Sequence, residues 1–190
     1  MSKTGFLLLC GGHSSRMGQS KALLDIGGRP LVMHIADAGQ GFSERILSVN
    51  DDAIPTPDGF VRVSDLYTDC GPMGGLQAAL SHAQSEALVV APCDAPNYSA
   101  QLAQYLALRY TPELDAIILF GADGKAHPLM GVYSKRCLPA LEANLREGRF
   151  KLMRMLSQLR TLELMLPPEI PQSVFDNLNT PEDLARFLKA

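Results

Sequence analysis

Among the stretches that are apolar at every position rather than at alternate ones, two run straight into candidate chemistry. Phe6-Leu7-Leu8-Leu9 stops at Cys10 and a pair of glycines, and residues 87–91 stop at Pro92-Cys93-Asp94. Such runs mark strands covered on both faces, as in a parallel sheet. Between them, residues 45–50 read as a second strand ending in Asn50, 51–59 as a proline-broken loop, and 61–64 as a short third strand with Asp65 at its end. Apolar spacing near 3.6 residues predicts helices over 31–39, 71–83 and 99–109, Pro30 standing at the first position of the earliest. Further on, 116–120 is a strand, 121–125 a turn, and 129–133 a strand that returns antiparallel because its connection is short. Helices over 135–146 and 149–158, a strand over 161–166 and a proline-rich loop follow. Thr180 is an N-cap candidate, with Pro181 at the first helical position and Glu182 and Asp183 in the first turn of a last helix. Strands alternating with helices predict an α/β fold: a single domain over 1–190, a three-layer α/β/α sandwich with a Rossmann-like, mostly parallel sheet and one antiparallel strand.

The segment leaving the first strand, Leu9-Cys10-Gly11-Gly12-His13-Ser14-Ser15-Arg16-Met17-Gly18-Gln19-Ser20-Lys21, carries the densest chemistry. A loop at the carboxyl end of a first strand is where an open α/β sheet binds its ligand. Glycines there let backbone amides approach phosphate oxygens, and Arg16 and Lys21 supply charge suited to a triphosphate. The spacing matches neither GxGxxG nor GxxxxGK[ST], which disfavours a dehydrogenase and a P-loop enzyme. A glycine-rich turn with two solvated cations is the plain alternative.

The full opening, LxGGxSxRMGxxK followed by Ala22-Leu23-Leu24-Asp25-Ile26-Gly27-Gly28-Arg29-Pro30-Leu31, resembles the signature of nucleotidyltransferases that join a nucleoside monophosphate to a phosphorylated acceptor. Matches continue in order at Gly71-Pro72-Met73-Gly74-Gly75, Cys93-Asp94-Ala95-Pro96, His127-Pro128 and Asn177-Leu178-Asn179-Thr180-Pro181-Glu182. Together they are most similar to the molybdenum cofactor guanylyltransferases. The resemblance implies transfer of GMP from GTP to the terminal phosphate of molybdopterin, with release of pyrophosphate. It implies that Leu9, Cys10, Gly11 and Gly12 line the base pocket, that Asn50 and Asp65 contact ribose or base, and that Asn177 and Asn179 face the acceptor. Molybdoenzymes are possible transient partners. Cys10 departs from the family's usual alanine but leaves Gly11 in place, where cytidylyltransferase relatives carry alanine; this favours GTP over CTP.

Each candidate has a plainer structural reading beside it. Asp94, at a strand end beside the first loop, suits Mg2+, which takes one or two carboxylates plus substrate phosphates; it also suits a turn between Pro92 and Pro96. Gly74 and Gly75 each cost a helix about 1 kcal/mol relative to alanine, which points to close approach, either of a nucleotide or of the sheet. Asn179 and Thr180 cap a helix whatever else they do. His127 reads as a turn histidine. Arg146, Arg149, Lys151 and Arg154 form either a solvated helix face or a receiver for the pterin's phosphate.

Composition narrows the class. A net charge of −3 and 6% aromatic residues, with no Trp, offer no general field for nucleic acid and little for stacking single strands. No apolar run approaches a membrane span, the opening residues leave no room for a signal peptide, and four scattered cysteines without a CxxC pair fit reduced thiols in the cytoplasm. The catalytic set expected is Arg16, Lys21 and Asp94. The rivals are a transferase using CTP or acting on a sugar or isoprenoid phosphate, and a non-catalytic nucleotide or pterin carrier.

Overall fold

The structure, a computed structural model, describes residues 3–11 and 20–189. Seven strands form one sheet: β1 (Thr4–Cys10), β2 (Arg45–Val49), β3 (Val61–Val63), β4 (Ala87–Pro92), β5 (Ala116–Phe120), β6 (Ala126–Ser134) and β7 (Thr161–Met165), in the order β3-β2-β1-β4-β6-β5-β7. β1 lies parallel to both β2 and β4, β2 to β3, and β5 to β7. β6 alone runs antiparallel, to β4 and to β5. Every residue of β1 and β4 is buried, as strands apolar at every position require.

The helices are α1 (Leu31–Ala36), α2 (Pro72–His82), α3 (Ala100–Arg109), α4 (Leu138–Arg146), α5 (Leu152–Leu156) and α6 (Pro181–Phe187). Alternate residues of β1 face opposite ways. Phe6 and Leu8 join Leu31 and Ile35 of α1 and Leu102 and Leu106 of α3. Leu7 and Leu9 join Met73, Leu76 and Leu80 of α2, Leu141 of α4 and Met155 of α5. The sheet is thus covered on both faces, giving the three-layer sandwich and placing the carboxyl ends of β1 to β4 along one rim.

Local chemistry sets the boundaries. Ser99 caps α3 by accepting the Leu102 N–H, and Thr180 and Asp183 form a reciprocal capping box at α6. The expected helix over 31–39 is α-helical only to Ala36 and tightens into a 3-10 turn at Asp37–Gly39. Pro30 precedes it in an extended conformation, with φ −59° and ψ 142°, rather than occupying its first position. The expected helix over 149–158 shrinks to α5. Gly148 turns the chain with φ 68°, Arg149 N–H returns to Asn144 O at 2.8 Å, and Lys151 is extended. The strand expected over 129–133 starts earlier, so His127, read as a turn histidine, falls inside it. β6 begins at Ala126, and His127 pairs with Leu119 inside the strand. Ile118 pairs with Gly131 and Leu119 with His127, so the irregularity falls around Pro128, which has no N–H to give a ladder. Among the described residues, no helix is long and apolar enough to cross a membrane.

Candidate functional site

The parallel strands deliver the chemistry to one rim. β1 ends at Cys10 and continues into Gly11, β2 ends before Asn50, β3 is followed by Ser64 and Asp65, and β4 ends before Cys93 and Asp94. Gly12, Arg16 and Gly18 lie outside the described residues, so the opening loop enters through its two ends. Its far end is a 3-10 turn, Lys21–Leu23, with Ala22 buried. The following turn relies on two glycines at φ 64° and 86°, Gly27 and Gly28, a region side chains disfavour. Gly28 N–H donates to Asp25 Oδ1, Ile26 N–H to Arg29 O, and Leu31 N–H to Leu24 O, fixing the turn against the start of α1.

Lys21, Asp94 and Asn179 meet at one point. Lys21 Nζ lies 3.3 Å from Asp94 Oδ2 and donates to Asn179 Oδ1 at 2.5 Å. Asn179 reaches the site through main-chain contacts. Leu178 N–H donates to Asp94 O at 2.8 Å, and Asp183 Oδ2 accepts the N–H groups of Asn179 and Thr180. Thr180 and Asp183 do the capping, and the Asn179 side chain is left to accept from Lys21. Asn177 is exposed and makes no side-chain hydrogen bond among those described. The Lys21 and Asp94 side chains are 22% and 23% exposed, so water shares their ion pair. A pair this open contributes on the order of 0–1 kcal/mol and holds the ammonium only loosely.

Asn50 and Asp65 are also brought together, through Asp65 N–H donating to Asn50 Oδ1 at 2.8 Å. Burial raises the Asp65 carboxyl above its ordinary pKa, and hydrogen bonding from Asn50 and Ser48 pulls it part of the way back. Against this carboxylate lies the first turn of α2. A Cβ on Gly75 would stand 2.4 Å from Ser48 Oγ and 2.6 Å from Leu9 Cδ1, and one on Gly74 would stand 2.8 Å from Tyr67 O. The close approach inferred for these glycines is therefore to the protein itself. Gly11 behaves oppositely. It is exposed, and a Cβ there would meet nothing within 4 Å, so packing among the described residues does not demand a glycine.

Cys10 and Cys93 stand side by side at the ends of β1 and β4. The Cys93 thiol and burial together push the Cys10 thiol well above its ordinary pKa. This pairing was not legible from either motif alone, since the two positions meet only through strand register. His127 stacks on Phe175, ring centroids 3.7 Å apart and 9° from parallel, bracing the segment that leads to Asn179. Burial is the main cause lowering its pKa. In the basic stretch, Arg146 pairs with Glu142 at 3.0 Å and Arg149 with Glu147 at 2.6 Å, as in a solvated face.

Among the described residues no group of three or more His, Cys, Asp or Glu could hold a metal. Asp94 nevertheless offers what a Mg2+ shared with phosphates asks of a protein: one hard carboxylate, partly open, at the rim of the parallel strands.

Known proteins of similar sequence and shape bear on this arrangement. The Vibrio cholerae molybdenum cofactor guanylyltransferase is 35% identical over 190 residues, covering 98% of this chain and 92% of its own. The Archaeoglobus fulgidus molybdopterin-guanine dinucleotide biosynthesis protein A superposes with a TM-score of 0.80 at 22% identity, over 98% of this chain and 97% of its own. A Mycobacterium tuberculosis protein solved in complex with manganese superposes with a TM-score of 0.65 at 19% identity, over the whole of both chains (100% each). The MobA-like NTP transferase domain matches residues 6–162, from the first strand into the last. On that span and that identity, the chain belongs to the MobA-like NTP transferase family of nucleotidyltransferases.

Proposed function

We propose that this chain, acting as one domain over 1–190, transfers GMP from GTP to the terminal phosphate of molybdopterin and releases pyrophosphate. The observation that carries this reading is the meeting of Lys21, Asp94 and Asn179. They come from three separate motifs, Asp94 lying 73 residues from Lys21 and Asn179 lying 158 from it. Guanine would sit against Leu9, Cys10, Gly11 and Gly12, with Asn50 and Asp65 beside the base or ribose. The open face of Gly11 supports an approach from solvent.

Lys21 would exchange its loose contact with Asp94 for triphosphate oxygens, joined by Arg16. It would then hold the departing pyrophosphate as the acceptor phosphate oxygen attacks the α-phosphorus and the bond to the leaving oxygen breaks. Asn179 keeps the ammonium aimed into the site, and Asn177 and Asn179 lie on the acceptor side. Mg2+ bound through Asp94 would neutralise charge on the phosphate oxygens. No covalent enzyme intermediate is required; alignment and charge stabilisation do the work. The hard divalent class to which Mg2+ belongs also includes the manganese held by the mycobacterial protein of this fold. Four free cysteines support a reducing, cytoplasmic setting and, for molybdoenzymes, delivery of product there.

The test mixes the protein with Mg2+, molybdopterin and each nucleoside triphosphate in turn, and follows pyrophosphate. Release with GTP alone is expected. Release with CTP alone would reassign the nucleotide, and binding of GTP without any release would make the chain a carrier.

A further inference from the structure

Strand register places two thiols together. β1 and β4 pair Leu9 with Pro92, so the next position on each strand sets Cys10 beside Cys93, and Cys93 N–H donates to Leu9 O at 3.1 Å. Alternation sends both side chains to the same face. Phe6, Leu8 and Cys10 of one segment, and Val89, Ala91 and Cys93 of the other, all pack in the cluster under α1 and α3. Neighbouring strands run about 4.8 Å apart, within the range of about 4.4–6.8 Å between Cα atoms that a disulfide spans. Cys70 and Cys137 belong to the cluster on the opposite face of the sheet, out of reach of this pair. All four cysteines are free, and Cys93 is the one of them that is not buried.

We propose that Cys10 and Cys93 form a modification site, a dithiol that a peroxide closes to an intramolecular disulfide and a small thiol reopens. The Cys93 sulfur, the more accessible, attacks one peroxide oxygen. The O–O bond breaks, and the departing hydroxide leaves as water with the thiol proton. The Cys10 sulfur then attacks the sulfenic sulfur of Cys93, the S–O bond breaks, and a second water departs with the Cys10 proton. Two thiols lose two electrons and one peroxide becomes two waters, so the step balances. A dithiol reductant reverses it by exchange.

Closing the bond must bring the two sulfurs to about 2.05 Å, which re-orients Cys93 and, through it, Asp94, the next residue in sequence. The Lys21–Asp94–Asn179 contact is then displaced, so oxidation switches off nucleotidyl transfer; this consequence rests on the function proposed above. A displacement of ~1 Å at a reacting centre can cost about a hundredfold in rate.

The experiment uses the intact, reduced chain. It is treated with hydrogen peroxide, its remaining thiols are blocked with iodoacetamide, and the tryptic peptides are sequenced by mass spectrometry. The expected product joins the peptide holding Cys10 to Cys93, loses two hydrogens, and disappears on adding dithiothreitol. Cys70 and Cys93 share a tryptic peptide, so fragment ions, or the same digest of Cys70→Ser, assign the linkage. A bond to Cys70 or Cys137, or Cys93 driven to sulfinic acid with Cys10 still alkylated, overturns the proposal. Pyrophosphate release should fall about a hundredfold on oxidation and return on reduction. Undiminished release from fully bonded protein overturns the link to Asp94. No release from reduced protein would count against the proposed function and leave the mass result standing.

Discussion

Gly75→Ala separates two uses of glycine on the rim. The added Cβ would sit 2.4 Å from Ser48 Oγ, 2.6 Å from Leu9 Cδ1 and 3.3 Å from Asp65 Oδ1. Ser48 is fully buried and Leu9 is 3% exposed, so neither can swing into open space. Two contacts under 3 Å in a packed layer put the overpacking cost near its upper value of ~3 kcal/mol. Alanine returns about 1 kcal/mol of helix propensity. The net loss is about 2 kcal/mol, which lowers the melting temperature of a chain this size by about 4–8 °C. Differential scanning calorimetry of both proteins, without nucleotide, measures it. Gly11→Ala is the contrast: its Cβ meets nothing, so stability should stay within about 0.5 kcal/mol while GTP affinity falls. A Gly75→Ala protein as stable as the wild type, or more so, would refute the packing argument and restore the nucleotide as the reason for that glycine.

Lys21→Ala removes one charge-assisted contact of ~1.5–3 kcal/mol, so turnover should slow roughly ten- to a hundredfold; unchanged pyrophosphate release would remove Lys21 from the chemistry. Asp115 accepts from Arg136 Nε at 2.8 Å and from Arg160 N–H at 2.9 Å at the foot of β5 and β7. Its replacement by alanine should cost about 3 kcal/mol, read as a lower urea midpoint, and a loss below about 0.5 kcal/mol would contradict the role. Burial works against the charge on Glu44, yet donors from Gln84 and Ser85 outweigh it and hold its carboxyl below the ordinary pKa. A carboxyl more acidic when folded adds stability that is full above its unfolded pKa of about 4.3 and is lost as pH falls through the lower folded value. Urea midpoints of the wild type should therefore fall more steeply below about pH 4.3 than those of Glu44→Gln; parallel curves would show that Glu44 carries no such linkage.

Features set by local chemistry were legible in the sequence. The unbroken apolar runs of β1 and β4 announce strands buried on both faces, and Thr180-Pro181-Glu182-Asp183 announces a capped helix; both stand as read. The family signature spans the chain in order, and the fold it implies is the one observed. Features set by distant partners were less legible. His127 lies in a strand because a bulge at Pro128 relieves the ladder, which no local propensity signals. Gly74 and Gly75 announce close approach but not to what. The answer depends on where α2 meets Leu9, Ser48 and Asp65. Asn179 reads as a capping residue until the Leu178–Asp94 main-chain bond carries its side chain to Lys21. Arg16, expected beside Lys21, falls in the stretch outside the described residues.

The Leu178–Asp94 bond also orders events in time. Synthesis proceeds from the amino end, so β1, β4 and Asp94 leave the ribosome well before Asn179 does. The contact from Asn179 to Lys21 is missing from any nascent chain until that later segment lies down across the rim. On the proposed site, a chain that has not yet placed this segment would lack the Asn179 contact that aims its lysine, and tight hold on a nucleotide would wait for it.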